Sequence, residues 1–140
     1  MNYEISRFMK AHQSDYQRAL SEIKNGKKVS HWMWYIFPQM KGIGHSSMSE
    51  YYGIRDLDEA RAYLADPVLG KHLTEICEAL LSLDTDDATE VMGQPDDRKL
   101  KSSMTLFDAA TESLDVFQMV LDKYYHGKKD CRTIKMLGIK

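Results

Sequence analysis

Three observations predict an all-α fold for this chain of 140 residues. Apolar residues recur at helical spacing in nearly every segment, residues suited to helix starts stand just ahead of those stripes, and no stretch alternates apolar and polar residues between hairpin turns. Together they predict a single compact bundle of about six to eight helices. The length suits one domain, residues 1–140, large enough to bury roughly 68–70% of the surface its unfolded form exposes.

From the N-terminus, Ile5, Phe8 and Met9 predict a short first helix. Ser14-Asp15 can cap a second with Tyr16, Leu20 and Ile23 on its inner face before Gly26 stops it, which makes a helical hairpin. Asp56 with Glu59 forms a capping box ahead of Ala60, Tyr63 and Leu64. Asp66 caps the next helix with Pro67 at its first position, and Leu69, Leu73, Ile76, Cys77, Leu80 and Leu81 make its apolar stripe. After an acidic connector, Val91 and Met92 mark a short helix that Gly93 terminates. Pro95 opens another, with Asp96 and Asp97 at its positive end and Leu100, Met104 and Phe107 on one face. Val116, Phe117, Val120, Leu121 and Tyr124 carry the last long helix up to Gly127, and Asp130 starts a final turn or two with Ile134 and Leu137.

The segment from Ser30 to Gln39 holds both tryptophans, Trp32 and Trp34, with Tyr35 and Phe37. Pro38 pushes the residue before it out of the α region, so a helix capped by Ser30 must finish near Phe37. A short buried strand is the alternative, because these residue types also favour the extended state. Gln39 to Ser47, with Gly42, Gly44 and paired serines, reads as a loop.

Composition excludes several classes. Net charge is −2, far from the basic balance of typical nucleic-acid binders. Residues 1–55 nevertheless carry eight Lys and Arg against four Asp and Glu. Either this is an ordinary solvated surface, or it favours a small anionic ligand over a duplex. Cys77 and Cys131 are too few and too distant for a disulfide framework, which points to a reducing compartment and to the cytoplasm. Residues 1–7 lack the order of a signal peptide, and no apolar run approaches the roughly 20 residues that span a bilayer, so no membrane partner is expected. There is no P-loop, dinucleotide fingerprint or nucleophile elbow, and the five histidines are not at metal-ligand spacing. Cofactor and oligomeric state are not indicated.

Several strings recur together in one known family. Ser30 to Gln39, Gly42-Ile43-Gly44, Tyr52-Gly53-Ile54, Asp58 to Leu64 with Asp66 to Gly70, and Asp97 with Lys99-Leu100 and Ser102 to Phe107 closely resemble the family catalogued as domain of unknown function 1810. The resemblance spans nearly the whole chain. It implies a compact, mainly helical bundle without an established activity. Some members carry the label calpastatin, but the sequence holds no calpain-inhibitor repeat.

Three groups can carry chemistry. Lys27, Lys28, Ser30 and His31 stand at a predicted helix start, where free amides attract an anion; the plainer reading is surface lysines beside an N-cap serine. Trp32, Trp34, Tyr35 and Phe37 offer a face for stacking, or are core. Lys99, Lys101, Ser102, Ser103 and Thr105 place hydroxyls at the margin of a core stripe, where a ligand, the neighbouring loop or their own helix carbonyls can pair them. The leading expectation is a phosphate-bearing, nucleotide-like ligand held between residues 30–47, including Gly42 and Gly44, and the Lys99 helix, with His31 as general acid or base. Ser49 to Tyr52 is similar to the glutamate-bearing helix of ADP-ribose-processing glycosidases, which would make Glu50 an alternative acid. A non-enzymatic protein or RNA interaction module is the competing class.

Overall fold

The computed structural model describes residues 5–139; residues 1–4, part of the stretch read above for a signal peptide, and residue 140 lie outside that range. Nine helices and no strand occur among the described residues. None of these helices is long and apolar enough to cross a membrane. The all-α class is therefore the observed one, with one-turn elements raising the helix count.

The first helix, α1, runs unbroken over Ser6–Lys24, so the predicted N-terminal hairpin does not form. Nothing between Phe8 and Tyr16 breaks a helix, and buried His12 carries the inner stripe across the gap between them. Ser14 and Asp15 bond each other at 3.1 Å instead of capping. After α1, the aromatic segment gives a single turn, α2 (Met33–Ile36), with Trp32 rather than Ser30 at the N-cap position. The chain then runs extended to an isolated parallel bridge between Met40 and Ile54. Between those two residues lies α3 (Ser47–Tyr52), which starts inside the predicted loop and is capped by the Ser46 hydroxyl on the Ser49 amide.

The helix α4 (Leu57–Ala65) begins at the predicted capping box, with one adjustment. Asp56 accepts from the Glu59 amide at 2.9 Å, but Glu59 reaches back to the Arg55 amide at 2.8 Å, one residue earlier. The next helix, α5 (Leu69–Leu81), starts where Asp66 takes the amides of Val68 and Leu69. Its Leu73, Ile76 and Leu80 are fully buried, each contributing about 1.5–3 kcal/mol of burial. Gly70 is the price of the close packing here, since a Cβ would stand 2.2 Å from the Leu64 carbonyl oxygen. The remaining elements are α6 (Ala88–Met92), α7 (Asp96–Ala110), α8 (Val116–Tyr125) and α9 (Cys131–Leu137). The central α7 packs on α4, α6, α8 and α9, and α5 packs on α1, α4 and α8. One continuous cluster of buried side chains, from Phe8 to Tyr124, fills the space between them.

Candidate functional site

The predicted anion seat at Lys28 to His31 does gather donors around an anion, and the anion is the protein's own Glu22. One oxygen of that carboxylate accepts from the amides of Val29 (2.7 Å) and Ser30 (2.9 Å) and from the Trp32 indole (2.9 Å), while the Ser30 hydroxyl takes the other at 2.6 Å. Burial raises the Glu22 pKa, but the bonds from Ser30, Val29 and Trp32 outweigh that and hold it at about 2. Lys28 is also engaged. Its ammonium donates to the Ser30 carbonyl at 2.6 Å, pairs with Asp96 at 2.9 Å and lies 4.9 Å from the Trp32 ring centre. His31 is exposed on the surface.

The fold does bring the aromatic segment against the Lys99 helix. Asp96 holds Lys28 on one oxygen and Lys99 on the other, at 3.5 Å, and Lys99 lies 5.9 Å from the Trp34 ring centre. What the contact leaves is small: the crevice of Trp34, Gly44 and Tyr52 encloses about 10 Å³, room for one water. Trp32 is fully buried and belongs to the core, whereas Trp34 is half-buried. Gly42 adopts φ +100° in the loop, where a Cβ would stand 3.3 Å from the Met136 methyl, and a Cβ on Gly44 would meet the Ser49 hydroxyl at 2.4 Å. Ser102 and Ser103 point inward, and the fully buried Ser103 hydroxyl has no hydrogen-bond partner among the described residues. Thr105 donates to the Lys101 carbonyl and accepts from the Asp130 amide, tying α7 to the start of α9.

Of the predicted site residues, Glu50 lies in one sizeable concavity and Tyr35 in the wall of a second. A cleft of about 310 Å³ is lined by Arg7, Lys41, Glu50, Tyr51, Gly53, Arg55 and Glu59. Its construction is local and specific. The bridge bonds from the Lys41 amide to the Ile54 carbonyl (2.8 Å) and from the Ile54 amide to the Gln39 carbonyl (2.9 Å) set Lys41 beside the Arg55 turn. Gly53 permits that approach, since a Cβ there would stand 2.6 Å from the Lys41 Cα. Arg7 pins the floor: it donates to the Tyr51 carbonyl at 2.8 Å, to the Gly53 carbonyl at 3.0 Å and to Glu59 at 3.1 Å. Glu59 is 1% exposed and already bonded on both oxygens, so among the described residues the available carboxylate of the cleft is Glu50, in the first turn of α3.

A second groove of about 680 Å³ adjoins this cleft and shares Arg7 and Tyr51 with it. Asp15 and Tyr35 lie in its wall, with the Tyr35 phenol donating to the Asp15 carboxylate. Burial and that bond to Asp15 raise the phenol's pKa. Beneath Tyr35 runs a buried network that the sequence reading misses. The His12 Nε2 stands 2.8 Å from the Tyr35 carbonyl and 3.0 Å from the Tyr63 hydroxyl, and the Nδ1 atoms of His12 and His72 are 2.9 Å apart. The Tyr35 carbonyl only accepts, so His12 carries its proton on Nε2 and its Nδ1 accepts from His72. Burial chiefly, with the nearby His72, lowers the His12 pKa to about 4 against the opposing bond to Tyr35. His72 also stacks on Tyr16, with ring centres 3.6 Å apart and planes within 2°.

Comparison with known proteins supports the fold and leaves the chemistry open. The structure is similar to the crystal structure of the conserved hypothetical protein Rv1873 from Mycobacterium tuberculosis, with 40% identity, 99% of each chain covered and a TM-score of 0.95. A search of curated proteins found no match. Residues 2–137 match the family described as "Protein of unknown function (DUF1810)", and the chain belongs to that family.

Proposed function

We propose that residues 1–140 form one domain that binds a phosphate-bearing, nucleotide-like small molecule in the cleft of Lys41, Glu50 and Arg55. The observation that carries this reading is the convergence of cations from three separate places, Arg7 of α1, Lys41 of the loop after α2 and Arg55 of the turn before α4, on one concavity. A cleft of roughly 300 Å³ is within the range of small-ligand sites. The ligand thus shifts from the Ser30 segment, where Glu22 fills the seat, to the neighbouring face. A protein or RNA interaction module would favour these cations on a flat or convex face. The free thiols Cys77 and Cys131, the latter exposed, suit a reducing compartment, and we place the protein in the cytoplasm.

Thermal-shift measurements with inorganic pyrophosphate and with ADP test the reading. A ligand at a hundred times its dissociation constant stabilises by about 2.7 kcal/mol. We expect both anions to raise Tm, Lys41→Ala to remove most of the rise, and the effect to grow at low ionic strength. No shift with either anion would refute the cleft. A second reading, chemistry at the bound ligand, is favoured by Glu50 lying in the same cleft as a carboxylate without a partner among the described residues. Glu50→Gln should then abolish turnover while preserving binding.

A further inference from the structure

We infer that the ligand of this cleft is a nucleotide whose base lies in the adjoining groove against Tyr51, with Asp15 accepting hydrogen bonds from an amino-bearing ring edge. The inference rests on the cleft being a phosphate site. Its first ground is continuity: because the two concavities share Arg7 and Tyr51, one molecule with an anionic end and a flat end can occupy both. Each is of a size that single ligand sites reach.

The second ground is the state of Tyr51. Tyr51 is 58% exposed, yet its ring is braced edge-on against Tyr52, with centres 4.8 Å apart and planes at 86°. Tyr52 in turn lies 5.1 Å from Tyr35 and 5.7 Å from Phe8. A large ring held in place with an open face loses little freedom when a base stacks on it. Such stacking is sequence-tolerant and needs no hydrogen bond.

The third ground is the polarity of the groove wall at Asp15. The Asp15 carboxylate accepts from the Ser14 hydroxyl at 3.1 Å and from the Tyr35 phenol, and Arg18 lies 3.7 Å away. Both hydroxyl protons are spent on the carboxylate, so what these groups still offer the groove is oxygen lone pairs. The acceptors gathered at Asp15 suit the exocyclic amine of adenine or cytosine. They oppose the carbonyl that uracil presents at the same position.

Calorimetric titration of the full chain with pyrophosphate, ADP, CDP and UDP tests this. ADP and CDP should bind at least about tenfold more tightly than pyrophosphate and than UDP. Tyr51→Ala should weaken ADP by roughly 5- to 150-fold and pyrophosphate by at least about fivefold less, while Tyr51→Phe restores ADP. Asp15→Asn, which adds a donor, should narrow the gap between ADP and UDP. Equal affinities for pyrophosphate, ADP and UDP, or equal losses of ADP and pyrophosphate in Tyr51→Ala, would overturn the base site and leave the phosphate cleft standing. Failure of pyrophosphate and of every nucleotide to bind would remove both.

Discussion

Lowering the pH should destabilise this protein through His12 before it does so through Glu22. His12 is 2% exposed and neutral, with its Nε2 proton committed to the Tyr35 carbonyl and its Nδ1 facing the Nδ1 of His72. A second proton on His12 would set two N–H groups against each other unless His72 changed tautomer. The Asp66 charge favours that proton only weakly against burial and His72, and the neighbours Tyr16, Tyr35 and Tyr63 stay neutral, their pKa values raised chiefly by burial. With the folded pKa at about 4 and the unfolded value at 6.5, His12 is neutral in both states above about pH 6.5, where its stability contribution is complete. Below that, the unfolded chain takes up a proton that the folded chain refuses, and stability falls until pH reaches about 4.

The loss amounts to about 0.8 kcal/mol at pH 6, about 2 kcal/mol at pH 5 and about 3 kcal/mol at pH 4. Glu22, held at about 2, loses its contribution only below the ordinary carboxylate pKa near 4.5, so the two windows separate. Urea unfolding followed by tryptophan fluorescence at pH 7.5, 6 and 5 measures this directly. Compared with the wild type, His12→Asn should be less stable at pH 7.5, having lost hydrogen bonds, but its stability should fall by about 2 kcal/mol less on going to pH 5. Parallel pH profiles for the two proteins would refute the assignment.

Other substitutions probe the core and the cleft independently. Trp32→Ala should cost about 3–5 kcal/mol by equilibrium unfolding, because the ring is fully buried and its indole nitrogen serves Glu22. Trp34→Ala, at a half-buried position beside Lys99, should cost about 1–2 kcal/mol and leave a helical circular dichroism spectrum. Gly53→Ala forces the Lys41 backbone away and should cost about 1–3 kcal/mol in urea unfolding as well as weakening pyrophosphate binding; a variant as stable as wild type would refute the close approach. Ser103→Ala removes an unpartnered buried hydroxyl and should raise stability by about 1 kcal/mol, whereas a loss of stability would mean that the hydroxyl has a partner.

Legibility in the sequence followed the range of the interactions. The helices α4, α5 and α7 are written in caps and stripes within a few residues of each other, and Asp56, Asp66 and the Leu100, Met104 and Phe107 face all act as read. The N-terminal hairpin failed because Ser14-Asp15 resembles a cap only when the residues before it leave the helix. Here His12, polar by type, is buried by Tyr35 and Tyr63, and the stripe continues through it. Ser30 misled for a related reason: its hydroxyl serves Glu22, eight residues back, rather than the helix ahead. The cleft was illegible apart from Glu50. Arg7, Lys41 and Arg55 become neighbours only through the Met40–Ile54 bridge and the missing Cβ of Gly53, which sits at an ordinary φ of −63° and gives no turn signal.

The charge asymmetry has a structural resolution that governs how any binding experiment must be designed. Some cations of the first 55 residues are consumed internally by acids from later in the chain: Lys28 by Asp96 at 2.9 Å, with 6% of its side chain exposed, and Arg7 by Glu59 at 3.1 Å, with 9%. Removing Arg7 leaves the buried Glu59 carboxylate short of its partner, a change that typically costs 3–5 kcal/mol, and removing Lys28 strips the partly buried Asp96 of one of its two cations. Lost affinity in such a variant would report lost structure. Lys41 differs, because its side chain is exposed on the rim of the cleft and forms no ion pair with a described residue. Neutralising it costs the fold little, since surface substitutions away from special features stay within about 0.5 kcal/mol. Of the basic residues that the sequence places in its N-terminal third, Lys41 is therefore the one whose loss separates anion binding from folding.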